Sequence, residues 1–262
     1  MDGFALTKWY IDCVDGHGRS AIVYSSALAW GRATVSWHSL SIHQPGIDPT
    51  HDSSLARLAL PGREGPRVFW QARPLGCTVI CRPARAPFSQ RLLEQADGFV
   101  DWHCVASAAT VEIELAGQPG LRGTGYAERL VMTLPPWRLP IEELRWGRWV
   151  SDDACRSLVW IDWQGPAPRT DVYMDGQPQA PARVADDRVQ AGKAVLVLAE
   201  RRTLYSRSLG SALAGLGPIL SMLPSSWRAV DDTKWIRRAH LDVPGTPAEE
   251  GWCIHEQVRF QR

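Results

Sequence analysis

Short stretches rich in Val, Ile, Thr, Trp and Tyr alternate along the chain with Gly, Pro and Asp. This is the pattern of successive β-strands joined by tight turns. Lys8–Val14 reads as a strand, Asp15-Gly16-His17-Gly18 as a hairpin turn and Ser20–Ser26 as the returning strand. Arg32–Ile42 extends the pattern, and Gln44–Ser54, rich in Pro, Asp, Ser and His, predicts a surface loop. Further strands are expected at Leu55–Leu60, Val68–Arg73, Cys77–Cys81, Phe99–Ala106 and Thr110–Leu115, the last with clean alternation. Helical composition occurs twice. Ser89–Ala96 is short and polar, whereas Leu209–Met222 is apolar and interrupted by Gly210, Gly215, Gly217 and Pro218, so a helix, a packed loop and a lid over a pocket are all open for it.

The strand pattern restarts after Thr133–Pro140, where three prolines cannot sit inside a paired ladder. Two domains are therefore expected, residues 1–139 and 140–262. In the second, strands are expected at Leu144–Ser151, Arg156–Gln164, Asp171–Met174 before an Asp175-Gly176 turn, Lys193–Tyr205 and Trp252–Phe260. So many strands with so little helix predict an all-β protein. Closed barrels or a sandwich are favoured, because one open sheet of this length would expose its edges.

Charge and composition narrow the partners. Twenty-nine basic residues against 28 acidic ones give a net charge of +1, which offers no single-sign field for nucleic acid or an anionic membrane. The amino terminus carries Asp2 and Asp12 and no basic start before an apolar run, and no uncharged apolar stretch is long enough for a transmembrane segment. A cytoplasmic location is expected. The six cysteines lack the paired spacing of a zinc site, so free thiols and no metal are expected. No phosphate loop, serine nucleophile elbow or HExxH motif is present, and no cofactor is expected. The thirteen tryptophans can either fill a core or line an apolar pocket, and composition does not separate the two; the oligomeric state is open.

The most distinctive segment is Gly123-Thr124-Gly125-Tyr126-Ala127-Glu128-Arg129. Its glycines permit close backbone approach or bending, and the period of two places Tyr126 and Glu128 on one face, where a phenol and a carboxylate can share a proton. Facing an apolar cavity, Glu128 could serve as a general acid; facing water, it would be a surface carboxylate beside Arg129. Asp12 lies between Ile11 and Cys13 and is either paired, capping a turn or catalytic. His38 beside Trp37 is a candidate proton relay or a hydrogen-bonded core histidine. Trp160 and Asp162 share a strand face, pocket-lining or outward. Trp146, bracketed by Arg145 and Arg148 and preceded by Glu142-Glu143, belongs to a candidate ion-pair network.

Three stretches carry a resemblance: KWYIDCVDGHGRSAIVY with its Trp9-Tyr10 pair before Asp12, the run from Gly123 to Ser151, and the closing GWCIHEQVRF. Together they resemble the lipocalin-like superfamily of carotenoid hydratases, tocopherol cyclases and related bacterial secondary-metabolism proteins. The resemblance implies two tandem lipocalin-like antiparallel β-barrels with few short helices, facing each other with an apolar ligand near their interface. Where hydratase-like and cyclase-like members carry a short polar and Trp-Gly segment, this chain continues Leu130-Val131-Met132-Thr133, and its nearest Trp-Gly is Trp146-Gly147. The expected function is an enzyme that hydrates, cyclises or isomerises a polyene or terpenoid-like molecule. Glu128, Tyr126 and Asp12 are its catalytic candidates, and Trp9, His38, Trp146, Trp160 and Asp162 its substrate-binding candidates. A carrier that binds an apolar metabolite without chemistry is the alternative, and a barrel filled solid with tryptophan is a third.

Overall fold

The computed structural model describes residues 3–212 and 229–260. It is all-β, with two curled antiparallel half-barrels of ten strands each. The chain divides into two compact units, Met1–Pro135 with Asp153–Cys155, and Pro136–Asp152 with Arg156–Arg262.

The first unit contains β1 (Phe4–Val14), β2 (Ser20–Trp30), β3 (Ala33–Gln44), β4 (Ile47–Ser54), β5 (Gly62–Glu64), β6 (Arg67–Ala72), β7 (Cys77–Pro83), β8 (Phe88–Gln95), β9 (Gly98–Leu115) and β10 (Gln118–Met132). Their order is β4-β3-β2-β1-β10-β9-β7-β6-β5, with β8 paired to β9. The second contains β11 (Glu143–Ser151), β12 (Ser157–Gln164), β13 (Arg169–Met174), β14 (Gln177–Pro178), β15 (Ala182–Val184), β16 (Arg188–Ala191), β17 (Ala194–Leu198), β18 (Arg202–Ser208), β19 (Asp231–Asp242) and β20 (Glu249–Arg259). Their order is β14-β13-β12-β11-β20-β19-β17-β16-β15, with β18 paired to β19. Each strand of the first unit thus has a counterpart ten strands later. The two halves are one topology used twice.

Local chemistry explains the hairpins. Asp15 accepts the amides of His17 and Arg19 on its carboxylate, and Gly18 takes a positive φ of 77°, so the β1–β2 turn closes on its own side chain. At the β13–β14 turn, Asp175 and Gly176 both adopt positive φ, the signature of a two-residue hairpin loop.

Alternation divides each sheet into two faces. On the concave face of the first unit, Trp9, Ile11, Cys13, Val23, Leu40, Trp70, Val79 and Val111 form one apolar cluster drawn from most of the strands. Trp149, Leu158, Trp160, Leu196, Ala239 and Cys253 do the same in the second. Side-chain volume is traded between the two cores. Ile11 lies opposite Val23, whereas at the equivalent register Gly147 lies opposite Trp160, whose ring occupies the space a Cβ would need.

Three expectations fail. Ser89–Ala96 is strand β8 rather than helix, because pairing with β9 and a cross-strand Arg91–Asp101 ion pair outweigh the propensity of its Gln, Leu and Glu residues. Within Gln44–Ser54, residues 47–54 form edge strand β4; polar side chains and Pro49 suit a sheet edge. Leu55–Leu60 alternates in burial but enters no ladder. Of Leu209–Met222, only the short helix α1 (Leu209–Ala212) belongs to the described residues; residues 213–222 lie outside them. All six cysteines are free, and among the described residues no helix is long and apolar enough to cross a membrane.

The two halves share one close backbone approach. A Cβ on Gly123 would meet the Val14 carbonyl oxygen, and one on Gly251 the Val150 carbonyl oxygen, both far inside contact distance. Gly123→Ala and Gly251→Ala are each expected to destabilise the protein by roughly 2 kcal/mol or more, since backbone must move. Gly62→Ala, which meets nothing, is expected to be neutral. Urea-unfolding midpoints of the three variants check this.

Candidate active site

On β10, Tyr126 and Glu128 project from the convex face, across the sheet from the apolar concave cluster, and both are buried. The register brings Asp12 opposite Tyr126 and Tyr10 opposite Glu128 on β1, and Cys104 opposite Glu128 on β9. Three of the expected residues, Asp12, Tyr126 and Glu128, therefore share one face. Arg129, the solvated neighbour in the alternative reading of Glu128, points the other way, 6.0 Å over the Trp9 ring.

One carboxylate oxygen organises the cluster. Glu128 Oε2 accepts the Trp102 indole N–H at 2.6 Å and the Tyr126 hydroxyl at 2.7 Å. Burial, reinforced by Cys104 and Glu128, pushes the Tyr126 phenol well above its ordinary value, so it stays protonated and donates. Burial raises the Cys104 thiol in the same way and keeps it neutral. Aromatic rings surround the group. Phe88 meets Trp102 edge-on at 5.3 Å, Tyr10 lies 6.2 Å from Tyr126 and 5.3 Å from Tyr24, and Tyr24 lies 6.1 Å from Trp37.

The remaining candidates lie elsewhere. Trp9 and His38 are on the concave side of the first unit; His38 is held by Ser25 and the Ala56 carbonyl, and burial lowers its pKa. Trp160 is in the concave core of the second unit. Asp162, on the same strand face, accepts Thr170 at 2.7 Å and Gln164 at 2.8 Å, a structural pairing. Arg145 bonds Glu143 and Asp186, and Arg148 is buried with its guanidinium donating to the Trp252 carbonyl. His255 and Glu256 occupy opposite faces of β20, as alternation requires.

Trp146 has a partner that the sequence did not suggest. It lies opposite Glu256, as Tyr10 lies opposite Glu128, and Lys234 lies opposite Glu256 as Cys104 lies opposite Glu128. The second unit therefore repeats the buried glutamate with different neighbours. Lys234, fully buried, is ion-paired to Glu256 and sits 4.9 Å over the Trp146 ring. Asp232 accepts the Tyr205 hydroxyl at 3.1 Å; burial and the nearby Glu256 push its carboxyl up to about 6, against the pull of Lys234. Sequence reasoning missed Trp102, Tyr10, Lys234 and Asp232 because cross-strand register brings them in. One signal was present: Gly123–Glu128 and Gly251–Glu256 share the spacing Gly-x-x-x-x-Glu.

Among the described residues no group of three or more His, Cys, Asp and Glu side chains could hold a metal ion.

The chain has a lipocalin-like fold. Solved structures that share it include a protein of Nitrosomonas europaea assigned as AttH, with a TM-score of 0.58 and 14% identity over 99% of this chain and 94% of that one. CghA, solved with Sch210972, matches with a TM-score of 0.57 and 10% identity over 98% and 89%. Kievitone hydratase of Nectria haematococca matches with a TM-score of 0.51 and 6% identity over 98% and 89%. Identities this low establish shared architecture alone. No protein-family model matches the chain, and no curated protein sequence does.

The Asp232 environment sets a pH dependence. Its folded pKa of about 6 lies above the ordinary 3.8, so the folded state holds the proton more tightly than the unfolded state does. That stabilisation is complete below about pH 4 and is lost as pH rises through about 6. Asp232→Asn is expected to gain stability relative to wild type between pH 4 and 7, read from urea midpoints. Parallel profiles would count against it.

Proposed function

We propose that the protein is an enzyme acting on a hydrophobic polyene or terpenoid-like small molecule, with Glu128 as the proton-donating group and Tyr126 and Trp102 as its positioning partners. The supporting observation is the single oxygen of Glu128 that accepts both an indole N–H and a phenol O–H in a buried, aromatic-walled position. Two donors on one oxygen fix the carboxyl group's orientation, and in this reading the carboxyl group delivers the proton. Protonation of a carbon–carbon double bond produces a carbocation. The faces of Tyr10, Tyr126, Trp102 and Phe88 supply the negative quadrupole that stabilises such a charge in a site cut off from water. Water capture of that cation gives hydration, attack by a second double bond gives cyclisation, and proton loss from a neighbouring carbon gives isomerisation.

In this reading Asp12, which shares the face and lies opposite Tyr126, receives the proton in the last of these outcomes. One structural neighbour bears the name of a hydratase, and another was solved with the small molecule Sch210972, which fits a catalytic role on an apolar ligand. We propose a cytoplasmic location from the sequence.

Glu128→Gln keeps the shape and both acceptor bonds but removes the transferable proton. It is expected to lower turnover about 10²- to 10⁴-fold, with Tyr126→Phe giving a smaller loss. Native mass spectrometry and solvent extraction of the protein from its own cells provide the readout. A ligand whose structure differs between wild type and Glu128→Gln is the expected result. The same unaltered molecule in both would make the protein a carrier, and no co-purifying apolar molecule in either would remove the ligand as well.

A further inference from the structure

The concave face of the second half-barrel holds a cation that, among the described residues, no carboxylate pairs with. Arg237 is 7% exposed, on β19 opposite Cys253 and therefore on the side of the apolar cluster of Trp160, Leu198 and Ala239. Its guanidinium donates to the Ala199 carbonyl at 3.3 Å, while its Nε is buried with no hydrogen-bond partner. Among the described residues it takes part in no ion pair. The two carboxylates that act on it from a distance are occupied elsewhere: Asp186 bonds Arg145 at 3.2 Å, and Asp187 bonds Arg188 at 2.7 Å. A guanidinium cannot escape the cost of burial by losing its proton at ordinary pH, so an uncompensated one marks a place where an anion is missing.

A second group beside it points the same way. His255, on β20 opposite Trp235, stacks on that indole at 5.0 Å, and its Nε2 is buried without a partner. Burial together with Arg237, Arg201 and Lys234 pushes the imidazole down to about 3, so it is neutral and able to present an Nε2–H donor. Arg201 lies 5.0 Å over the Trp235 ring and adds a second positive group at the same end. Unfilled donors and positive charge thus meet an indole and an apolar core on one sheet face.

We propose that this face binds the anionic head, a carboxylate or a phosphate, of a ligand with an apolar body. Arg237 receives the head, His255 donates to it, and the body follows the Trp235 and Trp160 side of the sheet. The site is independent of Glu128, which belongs to the first unit.

Isothermal titration of the full chain with decanoate, decanol and inorganic phosphate tests this. Decanoate is expected to bind at least about 10-fold more tightly than decanol, reflecting a charge-assisted hydrogen bond, and more tightly than phosphate, which lacks the apolar body. Arg237→Met is expected to abolish the preference for decanoate while retaining decanol binding, and Arg201→Gln, at an exposed position, to reduce it about 2- to 5-fold. Glu128→Gln should keep the preference in full, which separates this site from the proposed catalytic one. Equal binding of decanoate and decanol by wild type, or an undiminished preference in Arg237→Met, would overturn the proposal. If Arg237→Met does not fold, an undiminished preference in Arg201→Gln overturns it equally. Phosphate binding as tight as decanoate would remove the apolar body from the site.

Discussion

Both faces of the central strands are withdrawn from water, and the rest of the molecule follows from that constraint. In β1 and β10 the concave set, Trp9, Ile11, Cys13 and Ala127, packs the interior of the half-barrel, and the alternate set, Tyr10, Asp12, Tyr126 and Glu128, is equally buried on the convex side. A strand buried on one face can turn its polar residues outward; one buried on both must satisfy them inside the protein. The Trp102 indole and Tyr126 phenol that converge on Glu128 are first of all the solution to that problem. The same arrangement fixes a carboxyl group, orients its two oxygens differently and surrounds it with rings. The bonds that satisfy the buried carboxyl group are the same bonds on which the proposed catalytic reading rests.

The second half-barrel shows how far that geometry can change while the backbone stays fixed. Gly123 against Val14 and Gly251 against Val150 preserve one close approach of neighbouring strands, and Glu128 and Glu256 fall at one register. Around them the side chains differ. An ammonium group binds Glu256 as an ion pair, whereas an indole and a phenol donate to one oxygen of Glu128. The cores diverge by compensation, Gly147 with Trp160 standing where the first half has Ile11 with Val23, so the bulk of two aliphatic side chains is gathered into one ring. One repeated topology thus carries two equivalent carboxyl positions in different surroundings.

Much of the strand content is legible from alternation and turn residues alone, since Asp15–Gly18 and Asp175-Gly176 close hairpins by local chemistry. Segments whose structure is decided by distant partners are not. Ser89–Ala96 has helical composition and becomes a strand because β9 offers it a ladder and Asp101 a charge for Arg91; Ile47–Ser54 is polar because it is an edge. The site divides along the same line. Tyr126 and Glu128 lie two residues apart, so their shared face follows from the period of a strand, whereas Trp102 is 26 residues from Glu128 and joins it through register. Trp9, His38 and Trp160 looked equally suitable by type, yet they belong to the opposite faces of their sheets. The repeated Gly-x-x-x-x-Glu spacing was available in the sequence and would have identified Glu256.

Three buried cations in the second unit make a controlled comparison of what the interior tolerates. Lys234 is compensated by Glu256 and lies over Trp146; Arg148 donates to the Trp252 carbonyl; Arg237 has the Ala199 carbonyl and an Nε facing nothing. Desolvation acts on all of them alike, so the differences lie in what each has received in return. Carboxylates are present near Arg237, yet Arg145 and Arg188 hold them in place at the surface. A fold that needed only stability could replace Arg237 with an apolar side chain, as its neighbours Leu198 and Ala239 already are. A guanidinium there, beside an imidazole kept neutral by burial and by the neighbouring positive charges, fits the proposal that its counter-ion arrives with a ligand rather than from the chain.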